Sequence, residues 1–199
     1  MSKKNTAEVL TGAPDKSDVA GYAFFGPMTA TRPTSGLDAT AVKTTYKGLG
    51  FITEDGVTIT TDTDTEKVYD WAGDVIAILN NSTSATLTFT IAQRSADGMR
   101  YVFGDNAVNT TGTGAAERVT RIDLTMDVQP HRRLAFLLAG AFDASGNSVP
   151  EILDIGDSQV TSVGDITYSR TGIASYPVTV ELFKVSGAFA SHHVGAAAI

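Results

Sequence analysis

The clearest pattern along the chain is a strict alternation of apolar and hydroxyl-bearing side chains between positions 84 and 91. The apolar side comprises Ala85, Leu87, Phe89 and Ile91. The hydroxyl side comprises Ser84, Thr86, Thr88 and Thr90. A period of two is typical of a strand with one buried face and one solvated face. An apolar run at 75–79 precedes it, and the intervening Asn80, Asn81 and Ser82 predict an antiparallel hairpin.

A long polar segment precedes this hairpin, and within it the alternation disappears. Val57 and Ile59 still alternate with threonines, but the chain then continues as TDTDTEKVYDWAGD. Residues 53–73 are therefore predicted to form a long loop, which in a β protein is usually either functional or disordered. The segment carries Tyr69 and Trp71, the only tryptophan, and such large aromatic side chains indicate a surface to be buried.

Other segments predict further strands. An apolar run covers 19–25 and a nearly continuous one covers 133–142. A further strand is predicted at 150–163, with acidic interruptions at Asp154 and Asp157, and an alternating run covers 178–182. A second regular alternation lies at 121–128. Its apolar side comprises Ile122, Leu124, Met126 and Val128. Its polar side comprises Arg121, Asp123, Thr125 and Asp127.

One short segment predicts a helix. Met99, Val102 and Phe103 recur at the spacing of one helical face, Ser95 is a candidate N-cap, and Gly104 is a candidate terminating residue. We expect this helix to lie over the sheet with Met99 and Phe103 directed inward.

The order of these elements predicts one β domain with two unstructured ends. Residues 19–185 are expected to form a mainly β fold, an antiparallel β-sandwich or barrel with one short flanking α-helix. Residues 1–18 are expected to be a flexible arm. Residues 29–40 are predicted to be a loop or an edge strand broken by Pro33. Residues 186–199 are small and apolar without a period, and are expected to be loose or to dock on a neighbouring molecule.

Composition excludes several classes of protein. There is no cysteine among the 199 residues, so disulfides and thiolate metal sites are excluded. The formal net charge of −7 disfavours a nucleic-acid-binding protein. No apolar run has the length of a membrane span, so we expect no membrane insertion by this chain.

The candidate chemical motifs are all incomplete. Asp62, Asp64 and Glu66 have the spacing that opens a calcium loop, but Lys67 and Gly73 occupy the positions that need glycine and glutamate. His192 and His193 are adjacent, so on a strand they would point to opposite faces. No metal site, cofactor site or catalytic residue is therefore expected, and the protein is not expected to be an enzyme.

The segment GLGFITEDGVTITTDTDTEKVYDWAGDVIAILNNSTSATLTFTIAQ at 48–93 resembles the major tail protein, or tail tube protein, of long-tailed non-contractile bacteriophages. The cues are GFITEDGV, a Thr/Asp-rich segment ending in YDWAGDVI, and a Ser/Thr strand followed by a helix and VFGDNAV. Near the C-terminus, QVTSVGDITYSRTGIASYPVTVELF is similar to the last β segment of the same proteins. The resemblance covers about 22–183.

This resemblance implies a structural virion protein that polymerises as stacked hexameric rings into a tail tube, the conduit for genome delivery. It implies self-association, a tape measure protein and a tail terminator as partners, passage of genomic DNA without specific binding, and assembly in the host cytoplasm. The alternatives are a tail terminator or head–tail joining protein of related fold, or a carbohydrate-binding β-sandwich using Tyr69 and Trp71.

Two sets of residues follow as candidates for the tube's surfaces. The resemblance puts a ring-stacking loop at 53–73, where Tyr69 and Trp71 would be the anchors. The alternative for Trp71 is packing in its own subunit's core. The lumen-facing candidates are Thr86, Thr88, Thr90, Asp123, Thr125 and Asp127, since each alternates with residues predicted to be buried.

Overall fold

A computed structural model of the protein describes residues 22–112, 118–125, 128–142, 148–168 and 170–195. The strands in these residues are β1 (Ala23–Pro27), β2 (Lys47–Gly48), β3 (Ile52–Tyr69), β4 (Val75–Ile91), β5 (Val108–Thr111), β6 (Arg118–Ile122), β7 (Arg132–Phe142), β8 (Ser148–Val163), β9 (Tyr176–Leu182) and β10 (Ser191–Val194). The α-helices are α1 (Ala39–Thr45) and α2 (Ala96–Phe103), and short 3-10 turns cover Gly36–Asp38 and Asp105–Ala107.

Eight of these strands form one antiparallel sheet, which confirms the predicted mainly β, antiparallel class. The order is β2-β1-β7-β8-β9-β4-β3, and β10 pairs with β8. The long strand β8 joins two halves of the sheet, because its first part pairs with β7 and its last part pairs with β9. A separate two-stranded sheet is formed by β5 and β6.

The larger core lies on the face of the sheet that α2 covers. The inward residues of β4 are those predicted from the alternation, and Leu87 and Ile91 are fully buried. Helix α2 places Met99, Tyr101 and Phe103 against them. The helix has the predicted boundaries, because the Ser95 side chain accepts a hydrogen bond from the backbone of Gly98 and the chain turns at Gly104 with φ +98°.

A smaller core lies on the opposite face, under a second helix that the sequence did not predict. Val42 of α1 and the nearby Tyr46 pack on Ala135, Leu137 and Ile152 of β7 and β8. The prediction of a loop or edge strand at 29–40 is therefore wrong for its last part. The short helix carries one buried apolar residue, too few to produce a helical period.

The predicted loop at 53–73 is instead nearly all of the first strand and most of the turn of a β-hairpin. β3 and β4 pair along nearly their whole length, and the turn lies at 70–74. The predicted turn at Asn80–Ser82 is also wrong, because Asp64 pairs with Ser82 and Thr65 with Asn80, which leaves Asn81 as a bulge in a continuous strand. The alternation disappears here because both faces of the hairpin are exposed.

The alternation at 121–128 does not form one strand. β6 ends at Ile122, which pairs with the first residue of its partner strand, Val108. Asp123 still donates one backbone hydrogen bond to the carbonyl of Ala107 at 2.8 Å, but residues 123–125 are no longer part of a strand. Leu124 and Val128 are exposed by 60% and 92%, whereas Met126 and Asp127 lie outside the described residues.

The C-terminal segment belongs in part to the main sheet. Ser191–Val194 form β10 against β8, so the expectation of a loose tail is wrong for these residues. The predicted N-terminal arm at 1–18 lies outside the described residues. The predicted strand at 19–25 corresponds to β1, which begins at Ala23.

Candidate assembly surfaces

The most exposed part of the described structure is the distal half of the β3–β4 hairpin, residues 62–84, termed the arm below. β4 pairs with β9 only from Ile91 back to Ala85, which lies opposite Leu182 at the end of β9. Beyond Ala85, the described residues of β3 and β4 pair with each other alone. At roughly 3.3 Å per residue, the stretch from Ala85 to Val75 extends the hairpin by about 30 Å.

The tip of the arm is closed by a turn with a defined hydrogen-bond pattern. The backbone N–H of Asp70 donates to the carbonyl of Asp74 at 2.8 Å, and that of Gly73 donates to the carbonyl of Asp70 at 3.2 Å. The Asp70 carboxylate accepts a further bond from the backbone of Asp74 at 2.8 Å. Gly73 has φ +91°, a backbone conformation that favours glycine. The tip is therefore a shaped turn that fixes the direction of the side chains beside it.

The arm presents large apolar side chains to solvent. Those exposed are Tyr69, Trp71, Val75, Ile76, Ile78 and Leu79. A two-stranded hairpin alone is at best marginally stable in water, and clustered exposed apolar side chains mark interaction sites. The arm is therefore suited to be completed by another surface. The exposure of residues 75–79 could not be predicted from the pattern, because an apolar run is usually buried.

The two aromatic candidates lie at the tip, on either side of its first turn residue. Trp71 is fully exposed and Tyr69 is 57% exposed. The alternative in which Trp71 packs in its own subunit's core is therefore wrong. Both side chains stand where a second molecule can reach them.

A polar surface, termed the threonine face, covers the side of β3, β4 and β9 that is opposite the α2 core. Thr86 and Thr88 of β4 pair with Thr60 and Thr58 of β3 on one side. On the other side they pair with Glu181 and Thr179, and Thr90 pairs with Pro177. Thr88 is exposed, while Thr86 and Thr90 are partly buried. α1 packs on this side of the sheet only over β1, β7 and β8, so the threonine face is uncovered in the described structure.

The remaining lumen candidates are not brought to this face. Asp123 and Thr125 follow β6, which packs with β5 on the α2 side of the sheet. Asp123 accepts a charge-assisted hydrogen bond from Arg121 at 2.8 Å. Asp127 lies outside the described residues. The threonines of β4 and this acidic segment therefore belong to two different surfaces.

The main sheet ends in two open edges within the described residues. β3 pairs on one side only, with β4, and β2 pairs on one side only, with β1. An 18-residue strand with one unpaired edge is a template for pairing with another chain. Such an edge is a liability in a monomer and an asset in an assembly.

A buried ionic cluster that the sequence did not predict holds β10 on the sheet. His192 Nε2 lies 2.7 Å from Oε2 of the buried Glu151, and His193 Nε2 lies 3.8 Å from Oδ2 of the fully buried Asp154. Arg32 also binds Asp154. The two histidines point to opposite faces of the strand, as their adjacency predicts. Pairs this distant in sequence leave no local signal.

The described residues show neither a metal-binding cluster nor a membrane-spanning helix. They contain no group of three or more histidine, cysteine, aspartate or glutamate side chains arranged to hold a metal ion. No helix in the described part of the chain is long and apolar enough to cross a membrane.

An antiparallel sheet with open edges, an uncovered polar face and a projecting apolar arm defines a structural β protein built for assembly. A protein-family model described as phage tail tube protein matches residues 5–193. The chain belongs to this family and is a structural component of the phage tail, and therefore of the virion. The family match does not support the alternatives of a tail terminator, a joining protein or a carbohydrate-binding module.

Comparison with solved structures found similar chains at low identity. One is from the tail of an empty gene transfer agent particle computed with helical refinement and C6 symmetry, with 17% identity, coverage of 73% of this chain and 84% of that chain, and a TM-score of 0.38. Another is from an extracellular contractile injection system sheath–tube complex in the extended state, with 10% identity, coverage of 96% and 99%, and a TM-score of 0.39. A comparison with curated proteins found no significant match.

Proposed function

We propose that this protein assembles as hexameric rings that stack into a tail tube, through which the phage genome passes into the host. The observation that carries the proposal is the arm, with its exposed apolar side chains on a hairpin that the described body of the subunit does not cover. The hexameric copy number follows from the resemblance to tail tube proteins. Such an assembly requires large contacts between subunits. We therefore expect interfaces of the obligate class, which bury roughly 2,000 Å² or more of surface.

The arm supplies the contact between successive rings. Tyr69 and Trp71 are the anchors, because aromatic side chains buried at the centre of an interface carry much of its binding energy. The acidic and hydroxyl residues at 60–66 form the adaptable rim of that contact. In the free subunit these side chains are solvated, as their exposure in the structure supports.

The open edge of β3 contributes to contacts within a ring. Its unpaired backbone groups can pair with an edge of the adjacent subunit, which removes an aggregation-prone edge from solvent. A ring forms when one surface of each subunit binds a different surface of its neighbour. The rotation between neighbouring subunits must also bring the last subunit back to the first. The two edges at opposite ends of the sheet order support this arrangement.

The threonine face lines the lumen. Thr86, Thr88 and Thr90 form a hydroxyl surface flanked by Glu181, and the chain as a whole carries a net charge of −7. A wall without lysine or arginine contacts does not retain phosphates, so DNA passes without specific binding.

The tape measure protein occupies the lumen before ejection, and a tail terminator ends the tube. Assembly takes place in the host cytoplasm.

Electron microscopy of concentrated purified protein tests the assembly. Negative-stain images should show tubes with a regular axial repeat, and six-fold averages should appear in end views. A protein that remains monomeric by sedimentation at high concentration under all salt conditions would contradict the proposal. Isolated rings without stacking would favour a terminator-like role instead.

A further inference from the structure

The exposed large apolar side chains of the described residues fall mainly at two opposite ends of the subunit. One group lies on the arm, around Trp71. The second lies near the other end of β4 and comprises Phe51, Leu124, Val128, Tyr168 and Ile173. A subunit with one apolar group at each end is suited to head-to-tail contacts.

A hollow lies at this end of the subunit, and Val128 is the member of the second group that lines it. Residues 103–107 and 128–130 line it together with Asp123 and Thr125, and its volume is about 430 Å³. This volume falls within the roughly 300–1,000 Å³ range of ligand-sized pockets. Val128, at 92% exposure, stands at its rim.

The hollow is at the opposite end of the strands from the arm tip. Phe103, at its wall, makes an edge-to-face contact with Tyr176 at 6.1 Å between ring centroids. Tyr176 begins β9 and pairs with Ile91, the last residue of β4. Because Val75 at the tip and Ile91 are the two ends of one extended strand, they are about 50 Å apart. The arm of a subunit therefore cannot fill that subunit's own hollow.

We propose that the hollow receives the arm tip of a second copy of this chain in the next ring, with the Trp71 indole as the inserted group. This inference rests on the proposed tube and adds the surface that the arm contacts. The indole of Trp71 would find apolar contacts in the hollow from Val128, Pro130 and Ala107.

The polar lining of the hollow also matches an indole. The indole N–H needs an acceptor when it is buried. Asp105 and Asp123 lie at the hollow and are held by Arg132 and Arg121 at 2.9 and 2.8 Å. A carboxylate accepts several hydrogen bonds, so either one can accept from the indole while its ion pair persists. Tyr168 and Ile173 lie at the same end of the subunit, but in a loop outside the hollow. Aromatic anchors of interfaces are usually buried in pockets, so the hollow is a better receiver for Trp71 than this exposed loop.

The absence of cysteine from the chain makes the contact directly testable. Ala72→Cys puts a thiol beside Trp71 without removing it, and Asn106→Cys puts one at the exposed rim of the hollow. A chain with both substitutions is assembled, treated with a mild oxidant and run on a non-reducing denaturing gel. The two sites are too far apart for an intramolecular disulfide, which needs Cα atoms within about 7 Å.

Head-to-tail docking predicts an open-ended ladder of dimers, trimers and longer oligomers, because each chain donates one thiol and receives another. Each single variant should stay monomeric on the gel. The matched control is Ala72→Cys with Thr171→Cys, which puts the second thiol in the exposed loop at the same end. Two results would show that the hollow is not the receiver and would leave the tube proposal intact. One is a ladder from the Ala72→Cys/Thr171→Cys chain but not from the Ala72→Cys/Asn106→Cys chain. The other is normal tubes from the Ala72→Cys/Asn106→Cys chain without any ladder.

A second variant tests the same contact without new thiols. Val128→Asp adds a charge at the rim and should abolish tubes while leaving the melting temperature of the free subunit unchanged, since Val128 is almost fully exposed. Ile173→Asp is the matched control and should still form tubes. Normal tubes from Val128→Asp would overturn the inference, and failure of the unmodified protein to form tubes would overturn both the inference and the proposed function.

Discussion

Arg32 binds Asp154 across 122 positions of sequence, with Nε 2.8 Å and Nη2 2.6 Å from the same carboxylate oxygen. Asp154 is fully buried in β8, and Arg32 comes from the segment between β1 and α1. Gly156 makes room for the guanidinium, because a Cβ at that position would lie 2.9 Å from its central carbon. The pair therefore ties the segment that leads into α1 to the middle of the main sheet.

Removal of this arginine should destabilise the free subunit strongly. Arg32→Ala leaves a buried carboxylate without its main partner, and we expect a loss of about 3–5 kcal/mol in the free energy of unfolding. Urea denaturation followed by circular dichroism measures it. The double variant Arg32→Ala/Asp154→Leu removes both charges and should recover most of the loss. A loss below about 1 kcal/mol for the single variant would show that the pair behaves as an exposed one.

The same carboxylate should contribute a defined pH dependence. Burial raises the pKa of Asp154 above its ordinary value of 3.8, although Arg32 opposes the shift. The folded-state pKa is the higher one, so this group's contribution to stability is full below about pH 3.8 and is lost as the pH rises through the folded-state pKa. The stability of the unmodified protein relative to Asp154→Asn should therefore decrease from pH 3.5 to pH 7.

Denaturation curves across that pH range measure the effect. His193 lies near the same carboxylate, so the comparison is repeated with His193→Gln in both proteins. A relative stability that rises with pH would contradict the assignment of burial as the dominant cause.

The body of the sheet was predictable wherever one face of a strand is buried and the other is solvated. The alternation at 84–91 gave the buried face of β4 correctly, because the burial of Leu87 and Ile91 leaves a period of two in the sequence. The arm lacked that period because neither of its faces is buried. Its bulge at Asn81 carried a turn-like composition, which is why the turn was predicted in the wrong place.

Local signals existed for the 3-10 turn at Gly36–Asp38 that leads into α1, but they were too short to outweigh Pro33. The Ser35 side chain accepts a hydrogen bond from the backbone of Leu37, and Asp38 accepts bonds from the backbones of Thr34 and Ser35, which lower the pKa of Asp38. This is a capping arrangement that a Ser-x-x-Asp spacing can indicate. The ionic cluster at β8 and β10 could not be predicted, since its members meet only after the sheet forms.

Helix α2 contains a glycine whose replacement should reverse the usual propensity rule. Gly98 in a helix costs about 1 kcal/mol relative to alanine on propensity alone. Here a Cβ would lie 2.6 Å from the backbone carbonyl oxygen of Leu49, which cannot move aside as a flexible side chain would. We therefore expect Gly98→Ala to destabilise the subunit by about 1–3 kcal/mol. Thermal unfolding measures this, and a higher melting temperature for the variant would refute it.

The tip tryptophan should be needed for assembly but not for folding. Trp71→Ala removes a fully exposed side chain, so the free subunit should keep its melting temperature while tube formation is lost. The expected cost to the ring–ring contact is about 2 kcal/mol or more. Lys67→Ala, another exposed position of the arm, is the control and should form tubes normally. A Trp71→Ala subunit that unfolds, or that still builds normal tubes, would remove Trp71 from its proposed role.

The lumen assignment predicts which added charge should slow the genome. Thr88→Lys adds a cation at an exposed position of the threonine face, and six copies per ring would put a ring of cations in the channel. Tubes should still form, since the side chain is solvated, and DNA ejection should slow, most strongly at low salt, where phosphate contacts are least screened. Thr88→Gln controls for side-chain size without charge.

Asp123→Lys separates the two surfaces that the sequence had grouped together. It makes a larger change in charge but lies on the α2 side of the sheet, beside Arg121. Asp123 also lines the hollow proposed to receive the next ring's arm, so Asp123→Lys is expected to weaken tube assembly, and ejection is compared only for phages whose tubes have formed. If the threonine face lines the channel, such phages carrying Asp123→Lys should eject DNA at the normal rate while those carrying Thr88→Lys are slowed. The reverse result would assign the lumen to the α2 side and the threonine face to the outside of the tube. Equal rates for both variants and the unmodified phage would mean that neither surface meets the DNA.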